Sequence, residues 1–118
     1  MILPEVRIAA RDLRLEYRDE ARGERHVAVD GLNLDVLADE FLCVVGPSGC
    51  GKSTLISAIA GFIKPRSGTL TLDGRAIEGP GADRGVVFQE YALLPWKTTE
   101  ANIEFGLRLK GMDKAQRQ

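Results

Sequence analysis

The chain has 118 residues, enough for one domain with a single hydrophobic core and too few for two. Its apolar fraction of 44% and charged fraction of 28% are ordinary values for a globular protein. The formal net charge is −1, with acids and bases mixed along the chain, which gives no electrostatic footprint for nucleic acid or an acidic membrane surface.

Two further features bear on where the chain works. Cys43 and Cys50 have a spacing that matches no zinc pattern, and no histidine lies near them, so we expect reduced thiols. Charged residues occur too early at the N-terminus for a signal peptide, and no apolar run approaches the roughly 20 residues of a membrane-spanning helix. We therefore expect a cytosolic chain unless a partner holds it elsewhere.

Alternating apolar residues predict two strands in the first third of the chain, over 6–17 and about 27–37. The charged segment 19–26 between them is expected to be a loop, with His26 solvated in it. Segment 41–45, Phe-Leu-Cys-Val-Val, is apolar at every position, which is typical of a parallel strand covered on both faces. A strand in the middle of a layered α/β domain is therefore predicted there.

The remaining elements follow a glycine-rich segment. Apolar residues at helical spacing predict a helix from Lys52 to about Phe62, bracketed by Gly61 and Pro65. A second helix is predicted from about Thr99 to Lys110, although Thr98 lacks a capping-box partner. Between the helices we expect a strand, a loop and another strand, at 69–73, 78–81 and 84–88.

Residues 46–54 read Gly-Pro-Ser-Gly-Cys-Gly-Lys-Ser-Thr and match the pattern G-x-x-x-x-G-K-[ST]. Glycines let backbone N–H groups approach phosphate oxygens, and the following helix points the positive end of its dipole at the same anion. Lys52 adds a charge for the β- and γ-phosphates, the Ser53 hydroxyl is placed to ligate Mg²⁺, and Thr54 lies near the α-phosphate.

Because this motif follows an apolar strand and opens an amphipathic helix, we interpret it as a nucleotide-binding loop. The alternative is a glycine-rich turn without a ligand. The predicted binding residues are Gly46, Pro47, Ser48, Gly49, Cys50, Gly51, Lys52, Ser53 and Thr54.

The chain resembles the N-terminal half of ATP-binding-cassette (ABC) transporter ATPases over essentially its whole length. Beyond the phosphate loop, Gly-Val-Val-Phe-Gln at 85–89 and Leu-Leu-Pro-Trp at 93–96 are similar to the family's glutamine loop. The longer block 78–89 is especially similar to ATPases of importers for taurine, nitrate and aliphatic sulfonates.

The resemblance implies an α/β P-loop NTPase fold: the N-terminal half of an ABC nucleotide-binding domain, with an antiparallel β subdomain and an incomplete parallel core sheet. It implies a single incomplete domain over 1–118, which stops before the signature motif and the Walker B strand. The core strand that normally carries the Walker B acids would lie beside 41–45, so we expect an exposed apolar edge there.

The resemblance also implies roles for single residues. Tyr17 matches the aromatic that stacks on adenine, with a core tyrosine as the alternative. Gln89 matches the glutamine that touches Mg²⁺ and the attacking water, so the implied metal ligands are Ser53 and Gln89. Residues Glu90 to Trp96 would face the membrane subunit, although Pro95 and Trp96 can also be read as ordinary turn and core residues.

The implied function is that of the ATP-binding, energy-coupling subunit of an importer, acting with ATP and Mg²⁺. Its implied partners are a second ATPase copy, a transmembrane permease and, indirectly, a periplasmic binding protein, at the cytoplasmic face of the inner membrane. The chain lacks the LSGGQ-type signature, the Asp-Glu pair and the switch histidine, so we expect negligible ATP hydrolysis by it alone. Two alternatives are a truncated or non-functional nucleotide-binding module and a nucleic-acid-directed ATPase, the latter disfavoured by the charge.

Overall fold

The computed structural model describes residues 5–47, 49, 51–89 and 93–117. The chain divides into two compact units, a larger one that ends at Val86 and a smaller one that begins at Val87. All of the β-structure of the described residues lies in the larger unit.

The larger unit contains one antiparallel sheet. Its strands follow the order β2-β1-β3-β4, with β1 paired to both β2 and β3. This confirms the predicted antiparallel part of the fold. The four strands are β1 (Val6–Asp19), β2 (Glu24–Leu37), β3 (Ser67–Leu72) and β4 (Arg75–Ala76).

The β1–β2 connection is tighter than the predicted loop over 19–26. The turn is confined to residues 20–23, where the Gly23 N–H donates to the Asp19 carbonyl at 2.7 Å. Gly23 has φ +68°, a left-handed conformation that glycine adopts without steric cost. Strand β2 therefore begins at Glu24, and His26 lies within a strand, not in the solvated loop that was predicted.

Helix α1 (Lys52–Ala60) packs against one face of the sheet, as its apolar spacing predicted. Leu13 and Leu15 alternate along β1 and are completely buried beneath this helix, which contributes Leu55 and Ala58 to the same core. Burial of this kind of side chain stabilises a fold by about 1.5–3 kcal/mol per residue. The core therefore fixes α1, and the loop before it, on β1 and β2.

Two predicted strands are not formed. Segment 41–45 has no strand pairing, and Phe41 and Val45 are 93% and 88% exposed. Every strand of the described residues belongs to the antiparallel sheet, so no parallel neighbour is available to bond 41–45 or cover its faces. Segment 84–88 is also irregular, because Arg84 turns back, its N–H reaching the Gly81 carbonyl at 3.3 Å.

The smaller unit contains helix α2 (Thr99–Leu109) and a short helix α3 (Lys114–Arg117), of which α2 was predicted. Thr98 caps α2 without a capping-box partner, since its Oγ1 accepts from the Ala101 N–H at 3.1 Å. Neither helix, nor any other among the described residues, has the length and apolar character needed to cross a membrane.

The C-terminal end of α1 lies against the loop that follows β4. Gly61 ends the helix with φ +92°, and a Cβ built on it would lie 2.2 Å from the Gly79 carbonyl carbon. The Arg84 guanidinium donates to the carbonyl oxygen of the same Gly79. Only glycine at position 61 permits this approach.

We expect Gly61→Ala to lower the free energy of unfolding by about 2–4 kcal/mol, because left-handed strain adds to overlap with backbone atoms. Gly74→Ala is the matched control, since Gly74 has φ +79° with nothing near its Cβ position. The control Gly74→Ala should lower the free energy of unfolding by only about 1–2 kcal/mol. Urea unfolding measures both, and equal losses would show that the contact with Gly79 is unimportant.

Candidate functional site

The glycine-rich segment 46–51 connects the exposed segment 41–45 to helix α1. Gly49 and Gly51 have φ values of +83° and +99°, both in the left-handed region that favours glycine. Gly46 and Pro47 are exposed at the start of the loop. Two of the predicted binding residues, Ser48 and Cys50, lie outside the described residues.

Gly51 is pressed against strand β2. A Cβ built on Gly51 would lie 2.4 Å from the Ala28 carbonyl oxygen and 3.2 Å from Cγ2 of Val29. A Cβ atom does not approach another atom to 2.4 Å in proteins, so no side chain fits at position 51 without displacing the loop. The absence of a side chain at Gly51 therefore sets the distance between this end of the loop and strand β2.

The N-terminus of α1 is open to an anion. Its N-cap residue is Gly51, which provides no side-chain acceptor, and the first turn contains no acidic residue. The first N–H groups of a helix lack partners within the helix, and the helix dipole places positive potential there. Together these features favour phosphate at this position.

Lys52 adds a full positive charge at the same place. Its Nζ donates to the carbonyl oxygens of Gly46 and Pro47, the second at 3.2 Å, so the ammonium lies across the loop. Ser53 is exposed in the first turn of α1, and Thr54 beside it is half-buried. The structure thus brings the described motif residues into one small region.

Tyr17 lies near the end of β1 on the same pair of strands that supports the loop. It is 49% exposed, which excludes the alternative of a core tyrosine. Its cross-strand partner is His26, with ring centroids 5.4 Å apart and an interplanar angle of 32°. This pairing was not predicted from the sequence, because His26 was expected to lie in a loop.

A cleft of about 370 Å³ opens beside Tyr17, and most of its charged side chains are basic. The only acid lining it is Glu16, whose carboxylate already accepts from Arg14 Nε at 3.1 Å. The basic side chains come from separate parts of the sequence, so the sequence did not indicate that they lie close together. The lining residues are Glu16, Tyr17, Arg18, Arg25, Lys64, Pro65 and Arg66.

The described residues contain no group of three or more His, Cys, Asp or Glu side chains that could hold a metal ion. At nucleotide sites Mg²⁺ keeps several waters and binds phosphates with few protein ligands. The exposed Ser53 hydroxyl at the start of α1 fits as one such ligand. The other predicted ligand, Gln89, is exposed in the smaller unit, so its pairing with Ser53 stays a prediction.

Segment 94–98 is bonded to the first turns of α2 through the side-chain amide of Asn102. Asn102 Oδ1 accepts from the Leu94 N–H at 2.8 Å, and Nδ2 donates to the carbonyls of Leu94, Lys97 and Thr98 at 3.2, 3.3 and 2.9 Å. Trp96 in this segment is 75% exposed, so it is not the core residue of the alternative reading. Residues 90–92 of the predicted permease-facing segment lie outside the described part of the chain.

Comparison with known proteins gives the family. A sequence model of the ABC transporter family matches residues 29–118. The chain is 55% identical over 98 residues to an uncharacterised ABC transporter ATP-binding protein of Methanocaldococcus jannaschii, covering 83% of this chain and 37% of that protein. It is 48% identical over 111 residues to a taurine import ATP-binding protein of Pseudomonas aeruginosa, and the match covers 94% of this chain and 41% of that protein. It is 52% identical over 91 residues to a nitrate import ATP-binding protein of Synechocystis sp., and this match covers 77% of this chain and 34% of that protein.

Solved structures agree with the sequence relatives. A dimeric structure of a bacterial ABC transporter cassette superposes with a TM-score of 0.78 at 29% identity, covering 93% of this chain and 52% of that one. A post-hydrolysis structure of the same cassette, bound to ADP and Pi, gives a TM-score of 0.77 at 28% identity, with the same coverage.

This chain belongs to the ABC transporter family, and its fold is that of an ABC ATPase cassette. It spans about two fifths of the length of the curated relatives that it matches and about half of the solved cassettes. That share confirms the predicted resemblance to a part of an ABC nucleotide-binding domain.

We expect Asn102→Asp to loosen the segment around Trp96, because the change removes an NH₂ group whose two hydrogens are shared among three backbone carbonyls, while keeping the side-chain size. At about 0.5–1.5 kcal/mol per bond, partly offset by a favourable charge near a helix N-terminus, local opening should become easier by about 1–3 kcal/mol. Trp96 is the chain's only tryptophan, so acrylamide quenching of its fluorescence reports the change directly.

The matched control is Asn33→Asp, which removes a single donated bond, to the Gly31 carbonyl at 3.3 Å in the larger unit. It should leave Trp96 quenching unchanged. Unchanged quenching in Asn102→Asp would contradict the anchoring role of this amide.

Proposed function

We propose that this chain binds ATP with Mg²⁺ through residues 46–54 and forms the N-terminal part of the energy-coupling subunit of an ABC importer. The observation that carries the proposal is the loop held against β2 by Gly51, with Lys52 lying across it at an uncapped helix N-terminus. Backbone N–H groups, the helix dipole and one ammonium then act together on a phosphate chain.

Each residue has a separate task in this proposal. Gly49 and Gly51 shape the loop so that backbone N–H groups face the phosphates, and Lys52 exchanges its carbonyl contacts for the β- and γ-phosphates. The Ser53 hydroxyl holds Mg²⁺, whose charge offsets that of the phosphates when it is bound. Tyr17 offers its open ring face to the adenine.

Hydrolysis needs more than these residues supply. In the proposed role, the Gln89 side-chain amide contacts Mg²⁺ and orients the attacking water. None of the proposed nucleotide contacts carries a carboxylate that could accept a proton from that water. We therefore propose that the 118-residue chain holds nucleotide without turning it over, and that turnover needs a second ATPase copy and a proton acceptor that these contacts do not supply.

The import role draws on relatives that are named as taurine and nitrate import ATP-binding proteins. In this role one incomplete domain over 1–118 lies on the cytoplasmic face of the membrane, with a periplasmic binding protein as an indirect partner. The segment from Glu90 to Trp96 contacts the permease, which the strong exposure of Leu93 and Trp96 supports. Taurine, nitrate or an aliphatic sulfonate is the proposed cargo.

A second candidate is a truncated nucleotide-binding module that serves no transporter. A non-functional fragment is the other form of this alternative, and the exposed apolar segment 41–45 favours it, because an uncovered segment of this kind is a hazard for aggregation. Coding sequence that continues in frame beyond Gln118 would support the importer subunit over this module.

We expect Lys52→Ala to weaken binding of ATP–Mg²⁺ by about ten- to a hundredfold, the equivalent of losing charge-assisted hydrogen bonds to phosphate. Isothermal titration calorimetry measures the dissociation constant, and Lys110→Ala, an exposed lysine after α2, is the charge-matched control. Equal affinity in the two variants would contradict the proposed site, and ATP turnover by the wild-type chain above the Lys52→Ala level would contradict the expected inactivity.

A further inference from the structure

We propose that His26 is a positioning residue for the nucleotide base, which acts by holding the ring of Tyr17. This inference rests on the proposed function, because it concerns the same binding site. It assigns a task to the chain's single histidine, which no part of the phosphate-binding motif uses.

The first observation is the ring contact. Tyr17 and His26 are directly opposite each other on β1 and β2, and directly opposed residues of an antiparallel pair share one face of the sheet. Their centroid distance of 5.4 Å falls within the range in which aromatic rings attract each other. Tyr17 nevertheless remains 49% exposed, so the imidazole supports the phenol ring without enclosing it.

The second observation is that His26 lies beside the β1–β2 turn. Its Nε2 lies 3.9 Å from Oδ2 of Asp19, the residue that closes this turn. Asp19 is fixed by the turn, since its carbonyl accepts from the Gly23 N–H at 2.7 Å and its Oδ1 accepts from the Ala21 N–H at 3.0 Å. The turn thus places a carboxylate near the imidazole, which also lies against the phenol ring of Tyr17.

The third observation is the place of this ring pair relative to the phosphate loop. Gly51 contacts β2 at Ala28 and Val29, two and three residues beyond His26 on the same strand. At the rise of a β-strand this separation is roughly 7–10 Å. An extended nucleotide spans such a distance between its base and its phosphates, so one molecule can contact both Tyr17 and the loop.

A held ring binds a base more tightly than a mobile one. A tyrosine that is already fixed loses less side-chain freedom when a base stacks on it, and this saving appears as affinity. Removing the imidazole therefore weakens contacts to the base and leaves contacts to the phosphates unchanged. A purely structural role would weaken both.

The test compares ATP with tripolyphosphate, which has the phosphates without the base, each with Mg²⁺ and the full 118-residue chain in a calorimeter. We expect His26→Ala to bind ATP about two- to tenfold more weakly, the range of aromatic pair energies, and tripolyphosphate as wild type does. His26→Phe restores the ring and should bring ATP affinity back to within about twofold. The control Val27→Ala changes a neighbour that pairs with Glu16 and should affect neither ligand.

Three results would overturn the role of His26: unchanged ATP affinity in His26→Ala, an equal loss for ATP and tripolyphosphate, or no recovery in His26→Phe. Each of these presupposes a wild-type chain that binds ATP, and leaves the phosphate site standing. A wild-type chain that binds neither ligand would instead overturn the proposed function, and the role of His26 with it.

Discussion

The contact between Gly51 and strand β2 determines where the candidate site lies. A Cβ at this position would come within 2.4 Å of the Ala28 carbonyl oxygen, so the loop can rest on the sheet only because residue 51 has no side chain. Helix α1 starts at the next residue, and its buried face packs on Leu13 and Leu15 of β1. Gly51 is thus held between a strand and a helix that share one core, which positions the N–H groups of Gly51 and the first turn of α1 before any ligand binds.

Local patterns explain the elements that the sequence predicted. Strands β1 and β2 are neighbours in sequence and pair across a short turn, so period-two alternation was sufficient to find them. The apolar run at 41–45 carries no comparable information, because a parallel strand depends on partners distant in sequence. The run has no such partner among the described residues, and it is irregular and exposed instead of a buried strand.

The candidate site shows the same difference between features with a local pattern and features that depend on distant residues. Each residue type in 46–54 has a local reason, so the motif could be read directly, and Gly49 and Gly51 have left-handed dihedrals that favour glycine. The Tyr17–His26 pair depends on a register that shifts several times along β1 and β2, which no residue pattern encodes. The role of Asn102 could not be predicted for another reason. All four of its side-chain hydrogen bonds go to backbone groups, which any sequence would provide.

Amide chemical shifts of the ¹⁵N-labelled chain during titration with ATP–Mg²⁺ test the central claim most directly. If the loop cradles the phosphates with its backbone, the largest shifts should fall on the N–H groups of Gly49, Gly51, Lys52 and Ser53. Large shifts confined to residues outside 46–54, or no shifts at saturating ATP, would contradict the account.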